Sequence, residues 1–287
     1  MSEASTGGTP RPTATYAEFT ALDPWHAPLR ALARDVALRA LAVGRRIDET
    51  GDWIRFPYYH HVFDDERAGF IRQLDYLAGF GEFISMDDAV ALLEGGSAID
   101  GRYFCVSFDD GLKSCLTGAL PILAERGIPA AFYVVTAMIG ATLAPDDAAA
   151  RRDFGFRGRR TSLEFLTWDD CRTMARNGMI ISSHCRAHVR LAELGAEAAM
   201  AELSESKAAI EREVGAVCGH FCPPYGNPEK DFLLERDGAL AREAGYRSLA
   251  TGWRGAMRLG DDPFQLRRDH LIAGWGKHQL RYLLSLP

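Results

Sequence analysis

The chain has 287 residues, of which 47% are hydrophobic and 25% are charged, and this balance excludes a disordered chain or a fibrous repeat. The formal net charge of −6 does not favour a nucleic-acid or anionic-membrane partner. The apolar runs are shorter than the roughly 18–20 residues that a membrane-spanning helix needs, which excludes a membrane span.

Residues 1–50 differ in composition from the rest of the chain. Met1–Thr15 is small and polar, which predicts a flexible tail, and Leu29–Ile47 mixes leucine and valine at helical spacing with arginines, which predicts an amphipathic surface helix. Neither stretch has the apolar block and cleavage site of a secretion signal. The six cysteines include no C-x-x-C pair, so free thiols in a reducing compartment are expected. We therefore expect a cytoplasmic protein.

From residue 51 onward, short apolar segments alternate with amphipathic ones. The predicted strands are Trp53–Val62, Tyr103–Phe108, Ala130–Val135, Met179–Ser182, His220–Phe221 and Tyr246–Ala250. The predicted helices are Ala68–Phe80, Met86–Glu94, Leu116–Arg126, Asp169–Arg176, Gly195–Val214 and Arg236–Ala244. This alternation predicts a parallel sheet covered by helices, in one barrel-like α/β domain over residues 51–287. In such folds the functional residues lie where strands end and loops begin.

The most apolar strand ends in Ser107-Phe108-Asp109-Asp110-Gly111. Two adjacent carboxylates at a strand end repel each other, and their partial burial is unfavourable unless a cation or a hydrogen-bond donor compensates. The alternative is a solvated Asp-Asp-Gly turn in which Asp110 caps the next helix. Asp109 and Asp110 are therefore candidate site residues.

Two histidines, His184 and His188, follow another predicted strand end. At i, i+4 spacing they would lie on one face of a helical turn, and their imidazoles could converge on one ion. With Asp110 they make a set of two histidines and one carboxylate, which leaves coordination positions open for water and substrate. The alternative is an ordinary core or surface pair. Together, the two strand ends predict a catalytic metal site.

A third segment, Phe221-Cys222-Pro223-Pro224-Tyr225-Gly226, contains two consecutive prolines and ends in glycine. The functional interpretation is a stiff loop that presents a backbone N–H near Tyr225 to a developing oxyanion. The alternative is a rigid loop without a chemical role.

With these three motifs in this order, the chain resembles the polysaccharide deacetylase family, carbohydrate esterases that share the NodB homology domain and remove acetyl groups from sugars. The resemblance covers roughly residues 53–271 and implies a distorted parallel (β/α) barrel. It implies that Asp109 is the general base and that Tyr225 lends its main-chain N–H to the oxyanion hole. The implied metal ligands are Asp110, His184 and His188.

The chain departs from the family at Cys222, where many members have an arginine that pairs with the base. A thiol cannot supply that charge. Members involved in exopolysaccharide biosynthesis also lack the arginine and carry a Tyr-His-x-Val segment, which residues 59–62 match. Our hypothesis is that His60 hydrogen-bonds Asp109 in the arginine's place. The alternative is that His60 is a buried structural histidine.

The family's leucine-x-histidine motif, which supplies the general acid, is not clear in this chain. His270, in a late strand-like segment, is the first candidate, and His278, in a helical tail, is the second. Either residue could instead be a solvated surface group. A basic loop over residues 151–160 is either a lid that contacts the substrate or a solvated insertion.

The resemblance implies metal-dependent hydrolytic deacetylation of an N-acetylated amino sugar, a polysaccharide or a glycan precursor. The donor set suits Zn²⁺, with Fe²⁺, Co²⁺, Ni²⁺ and Mn²⁺ as alternatives. One alternative function is an amidohydrolase that acts on a non-sugar amide. Another is a degenerate family member that binds carbohydrate without turnover.

Overall fold

The computed structural model describes residues 10–21, 36–47, 51–95 and 98–286. The strands are β1 Arg11–Pro12, β2 Trp53–Tyr59, β3 Glu82–Phe83, β4 Arg102–Phe104, β5 Val106–Phe108, β6 Ala130–Val134, β7 Thr142–Leu143, β8 Thr161–Glu164, β9 Ile180–Ser183, β10 His220–Phe221, β11 Ser248–Leu249 and β12 Arg268–His270. The helices are α1 Tyr16–Thr20, α2 Arg67–Leu77, α3 Met86–Leu93, α4 Leu120–Glu125, α5 Ala148–Arg152, α6 Trp168–Arg176, α7 Ala196–Val214, α8 Leu234–Glu243 and α9 Lys277–Leu284. Residues 36–41 are also helical.

The central sheet is parallel and runs in the order β11, β10, β9, β6, β5 and β2. β2 pairs with β4 and β5 along one edge and with β12 along the other. A parallel bridge between Ala250 and Leu266 joins the end of β11 to the chain just before β12. The ladder thus returns to β2 around a barrel whose β10 and β11 are only two residues long. The predicted distorted parallel (β/α) barrel is confirmed.

Alternate residues of the barrel strands pack on opposite faces of the sheet. In β6, Phe132 belongs to the cluster that faces the outer helices, and the ring of Phe108 stacks on it at 4.7 Å. The next residue, Tyr133, belongs to a second cluster with Phe56 and Cys222 inside the barrel. Burial on both faces explains why these strands are continuous apolar runs rather than alternating ones.

The amino-terminal segment packs on the barrel domain. Arg11–Pro12 pairs in parallel with Thr161 and Ser162 of β8, and the side chain of Thr15 accepts the N–H that caps α1. Phe19 is buried against the rings of Phe63 and Phe156. The prediction of a flexible tail is wrong for residues 10–15, because strand pairing and a helix cap satisfy their backbone. Residues 1–9 lie outside the described residues, as do residues 29–35 of the predicted amphipathic helix.

No helix in the described part of the chain is long and apolar enough to span a membrane.

The predicted helix over Leu116–Arg126 is present but begins as a π-helical turn, Cys115–Ala119, which continues into α4. Gly118 lies in this turn against the segment that follows β2. A Cβ atom at Gly118 would lie 1.8 Å from the backbone oxygen of Val62. The close approach holds the turn that follows Asp110 against the segment that carries His60.

We expect Gly118→Ala to lower the free energy of unfolding by about 3 kcal/mol or more, at the upper end of small-to-large substitutions, because the clash is with backbone. Gly238→Ala is the matched control: Gly238 lies inside α8, and its Cβ would meet nothing within 4 Å. The control should raise stability by about 0.5–1 kcal/mol through helix propensity. Urea unfolding of both variants measures the difference, and equal effects at the two positions would contradict the packing described.

Candidate active site

Several strands end at one mouth of the barrel, and their carboxyl-terminal residues surround a cavity of about 120 Å³. Parallel strands present their carboxyl ends on the same side, so residues far apart in sequence meet there. The lining residues are Tyr58, His60, Asp109, Asp110, Asp153, Phe154, His184, His188, Pro223, Tyr225, Gly226 and Arg268.

Asp110, His184 and His188 lie together at this mouth, all buried. The Oδ1 atom of Asp110 is 3.5 Å from Nε2 of His184 and 3.3 Å from Nε2 of His188. One ligand atom from each residue lies within 4.8 Å of the other two. Nδ1 of His184 is 2.6 Å from the backbone oxygen of Cys222. When Nδ1 carries the proton and donates it to that oxygen, the lone pair of Nε2 is free to bind a metal. The donor set fits a divalent cation with open coordination positions.

The two histidines do not share a helical turn, which corrects the geometry predicted from their spacing. Residues 184–190 are not helical, and Cys185 and His188 have positive φ angles of 64° and 53°. The loop is held by α7, because the buried carboxylate of Glu202 accepts the backbone N–H groups of Arg186 and Ala187. The imidazoles therefore converge because left-handed residues redirect the chain after β9.

Asp109 is buried and paired with Arg268 of β12. Its two carboxylate oxygens accept hydrogen bonds of 2.7 and 2.9 Å from Nη1 and Nη2 of the guanidinium. The ring of Tyr58 lies 4.1 Å from the guanidinium carbon. Burial acts to raise the pKa of Asp109, but Arg268 and His184 outweigh burial, and the net shift is downward. The ion pair with Arg268 therefore stabilises the ionised form of this buried carboxylate.

The predicted hydrogen bond between His60 and Asp109 is not formed among the described residues; Arg268 donates to both carboxylate oxygens instead. Nη2 of Arg268 also lies 2.9 Å from the sulfur of Cys222. The charge expected at position 222 thus comes from another strand. Arg268 was not among the residues predicted from the sequence. It lies two residues before the candidate His270 in the same strand, and residues at this spacing face the same side of a sheet.

The side chain of His60 lines the cavity, whereas those of His270 and His278 do not. The His270 ring packs behind His60 at a centroid distance of 4.9 Å. Burial lowers the pKa of His270 to about 3. Burial also lowers the pKa of His60, against the opposing effects of Asp110 and Asp109.

Tyr225 lies in the Pro-Pro loop with a positive φ angle of 65°. The neighbouring backbone is fixed by Gly252, whose N–H donates to the oxygen of Gly226 at 2.6 Å. No group among the described residues accepts the backbone N–H of Tyr225. This N–H is available to a ligand, as the predicted oxyanion role requires.

A sequence model of the polysaccharide deacetylase family matches residues 98–249, more than half of the chain. The chain belongs to the polysaccharide deacetylase family. This confirms the resemblance seen in the motifs, and the protein is a hydrolase of the deacetylase type with an Asp/His site suited to a metal. No curated protein is similar enough to count as a match.

The solved structures that share the fold of this polysaccharide deacetylase include IcaB, PplD and BpsB. IcaB from Ammonifex degensii has 22% sequence identity and a TM-score of 0.66, covering 82% of this chain and 98% of its own. The Streptococcus pyogenes deacetylase PplD in complex with acetate has 17% identity and a TM-score of 0.63, covering 83% and 99%. The BpsB deacetylase domain from Bordetella bronchiseptica has 20% identity and a TM-score of 0.61, covering 78% and 97%.

We expect Arg268→Met to lower the free energy of unfolding by about 3–5 kcal/mol, because Asp109 would remain as an unpaired buried charge. Deacetylase kcat/KM should fall at least about 100-fold if Asp109 must stay ionised and fixed. Arg268→Lys keeps the positive charge but cannot form the two parallel hydrogen bonds. Compared with Arg268→Met, it should recover more of the free energy of unfolding than of kcat/KM.

The control for this pair of variants is Arg267→Met, which changes the exposed neighbouring residue. Urea unfolding and acetate release measure the two effects. Unchanged stability in Arg268→Met would show that the buried pair does not form.

Proposed function

We propose that this polysaccharide deacetylase is a metal-dependent hydrolase that removes acetyl groups from an N-acetylated amino sugar in a glycan or glycan precursor. The observation that carries the proposal is the Asp110, His184 and His188 set beside an ionised, immobilised Asp109 in one cavity. Structural neighbours that are themselves deacetylases, one with acetate bound, support the same chemistry.

Asp110, His184 and His188 would hold the cation, and we propose Zn²⁺. Fe²⁺, Co²⁺, Ni²⁺ and Mn²⁺ are the alternatives for this donor set. A cation bound there supplies Lewis-acid polarisation of the acetyl carbonyl and makes a water molecule more acidic. Asp109 acts as the general base that removes the proton from the attacking water. Its ion pair with Arg268 keeps the carboxylate deprotonated and correctly oriented for that task.

Tyr225 stabilises the tetrahedral intermediate through its backbone N–H in this proposal. The negative charge develops on the former carbonyl oxygen, and a fixed N–H donor is most effective when it needs no reorganisation. The positive φ angle of Tyr225 and the bond from Gly252 to Gly226 hold that donor in place.

His60 is the residue that we propose to protonate the leaving nitrogen. It lines the cavity with both aspartates, whereas His270 lies one ring behind it. His270 and Tyr58 contact the His60 ring and fix its orientation. His60 rather than His270 is therefore the acid, because only a residue at the cavity can reach the reacting nitrogen.

A cytoplasmic location is part of the proposal, which makes a precursor of a surface glycan the expected substrate. All six cysteines are buried and none is in a disulfide. Free thiols are usual in a reducing compartment, which supports this location. Fractionation of the native host with an antibody to this chain tests it.

Acetate release from N-acetylhexosamines and their oligosaccharides tests the main proposal, using enzyme stripped of metal and reloaded with each candidate cation. We expect Zn²⁺ to restore turnover. Asp110→Asn should lose both bound metal and activity, because the site loses its anionic ligand. Asp75→Asn, a change at an exposed carboxylate, is the control.

Two outcomes would favour the other functions. Metal retained in the wild-type protein without acetate from any amide would favour a carbohydrate-binding protein that has lost turnover. Ammonia or a ring-opened product from a non-sugar amide would favour a related amidohydrolase.

We expect His60→Asn to lower kcat by about 10²- to 10⁴-fold and to remove the alkaline limb of the pH–rate profile, because that limb reports the general acid. His270→Asn should keep the limb and lose less activity, since His270 only supports the ring of His60. Because burial lowers the pKa of His60 below the ordinary histidine value of about 6.5, this limb should begin below that pH, and steady-state rates between pH 4 and 9 distinguish the two variants. An alkaline limb that disappears only in His270→Asn would restore His270 as the acid.

A further inference from the structure

A segment that the deacetylase chemistry does not use forms one wall of the cavity. We call residues 144–160 the strap; it contains α5 and leads into β8. Asp147 caps α5 by accepting the backbone N–H groups of Ala149 and Ala150. The strap then turns so that Asp153 and Phe154 line the catalytic cavity. The basic loop predicted from the sequence thus places an acidic and an aromatic side chain at the site.

The strap is anchored by the amino-terminal segment. The backbone N–H of Arg157 donates to the oxygen of Phe19 at 2.8 Å, and the rings of Phe19 and Phe156 lie 5.7 Å apart. Thr13 donates its hydroxyl to the oxygen of Ser162, at the start of β8. Phe154 and Phe156 are both buried. The strap is therefore packed in place rather than solvated.

Two contacts connect the strap to the catalytic residues. The ring of Phe154 lies 4.8 Å from that of His188, and the Tyr225 hydroxyl donates to Oδ1 of Asp153 at 3.1 Å. Asp153 is not one of the residues that could hold the metal with His184 and His188. Its carboxylate nevertheless lines the space in which the substrate must lie.

The hydrogen bonds of Asp153 indicate what it can still bind. Arg152 donates to each of its oxygens at 2.7 Å, from the exposed side of the strap. With the bond from Tyr225, three of the roughly four acceptor sites of a carboxylate are occupied. Because Arg152 already balances its charge, the remaining site suits a neutral O–H donor better than a cation.

We propose that Asp153 is a specificity-determining residue that accepts a hydrogen bond from a hydroxyl of the sugar ring that carries the acetyl group. Phe154 supports it by closing the cavity beside His188. This inference rests on the proposed function and adds to it, because it makes recognition of a sugar, rather than of any acetyl group, a property of the strap.

The test compares two substrates in holoenzyme variants. One is the best N-acetylated sugar from the acetate-release panel, and the other is 4-nitrophenyl acetate, which has no sugar hydroxyls. We expect Asp153→Ala to lower kcat/KM for the sugar at least about 10-fold, mainly through KM, because an uncompensated hydroxyl would lose its acceptor. Hydrolysis of the aryl ester should stay within about threefold.

Asp146→Ala is the matched control, since it removes an exposed carboxylate from the same strap. It should leave both substrates within about threefold of the wild type. Asp153→Asn keeps one acceptor oxygen and should lose less sugar activity than Asp153→Ala. It also serves if the alanine variant fails to fold, which thermal unfolding reports.

Equal losses on both substrates would show that Asp153 only holds the strap, and no loss on the sugar would show that it does not touch substrate; either result overturns the inference while the deacetylase proposal stands. A larger loss for a substrate with a free amine than for a neutral one would mean that Asp153 binds a cation instead. No acetate from any sugar in the wild type would overturn the proposed function and this inference with it.

Discussion

The buried ion pair between Asp109 and Arg268 is the interaction on which the site depends. Burying two charges costs their hydration energy, and the fold loses stability unless a well-oriented ion pair compensates. Here two parallel hydrogen bonds join the guanidinium of Arg268 to the carboxylate of Asp109. Arg268 lies on β12, which pairs with β2, and β2 pairs with the strand that ends at Asp109. The pair therefore forms only when β12 and β5 both pair with β2, so the geometry at Asp109 is coupled to the assembly of this part of the sheet.

The same ion pair accounts for a cysteine at position 222, where the resemblance to the family implies an arginine. Inside the barrel, Cys222 and the guanidinium of Arg268 are in contact at 2.9 Å. A short side chain at position 222 leaves room for the guanidinium of Arg268, which reaches the carboxylate from β12. Physical chemistry favours a fixed positive charge at the buried carboxylate of Asp109, and in this chain Arg268 of β12 supplies it. A change at one motif position is therefore a weak argument for lost catalysis.

The parts of this protein that could be predicted from sequence are those with a local signal. Strands buried on both faces leave continuous apolar runs, and polar residues at their ends, such as Asp110 and His184, mark the mouth of the barrel. Arg268 lies 159 residues from its partner, and an arginine in an Arg-Arg-Asp-His stretch has no local mark of burial. The loop geometry at His188 was missed for a related reason, because spacing alone does not reveal left-handed residues.

The amino-terminal segment shows how support for a site can lie outside the part of the chain that carries the chemistry. Residues 10–21 precede the region that matches the family, yet they pair with β8 and pack on Phe156. Through the strap, that packing reaches the ring of His188 and the hydroxyl of Tyr225. Strand pairing in the barrel fixes the groups at the cavity. The strap forms the wall that faces them, and the strap is packed against residues 10–21. The barrel therefore positions the cavity residues, and the amino-terminal segment supports the wall that faces them.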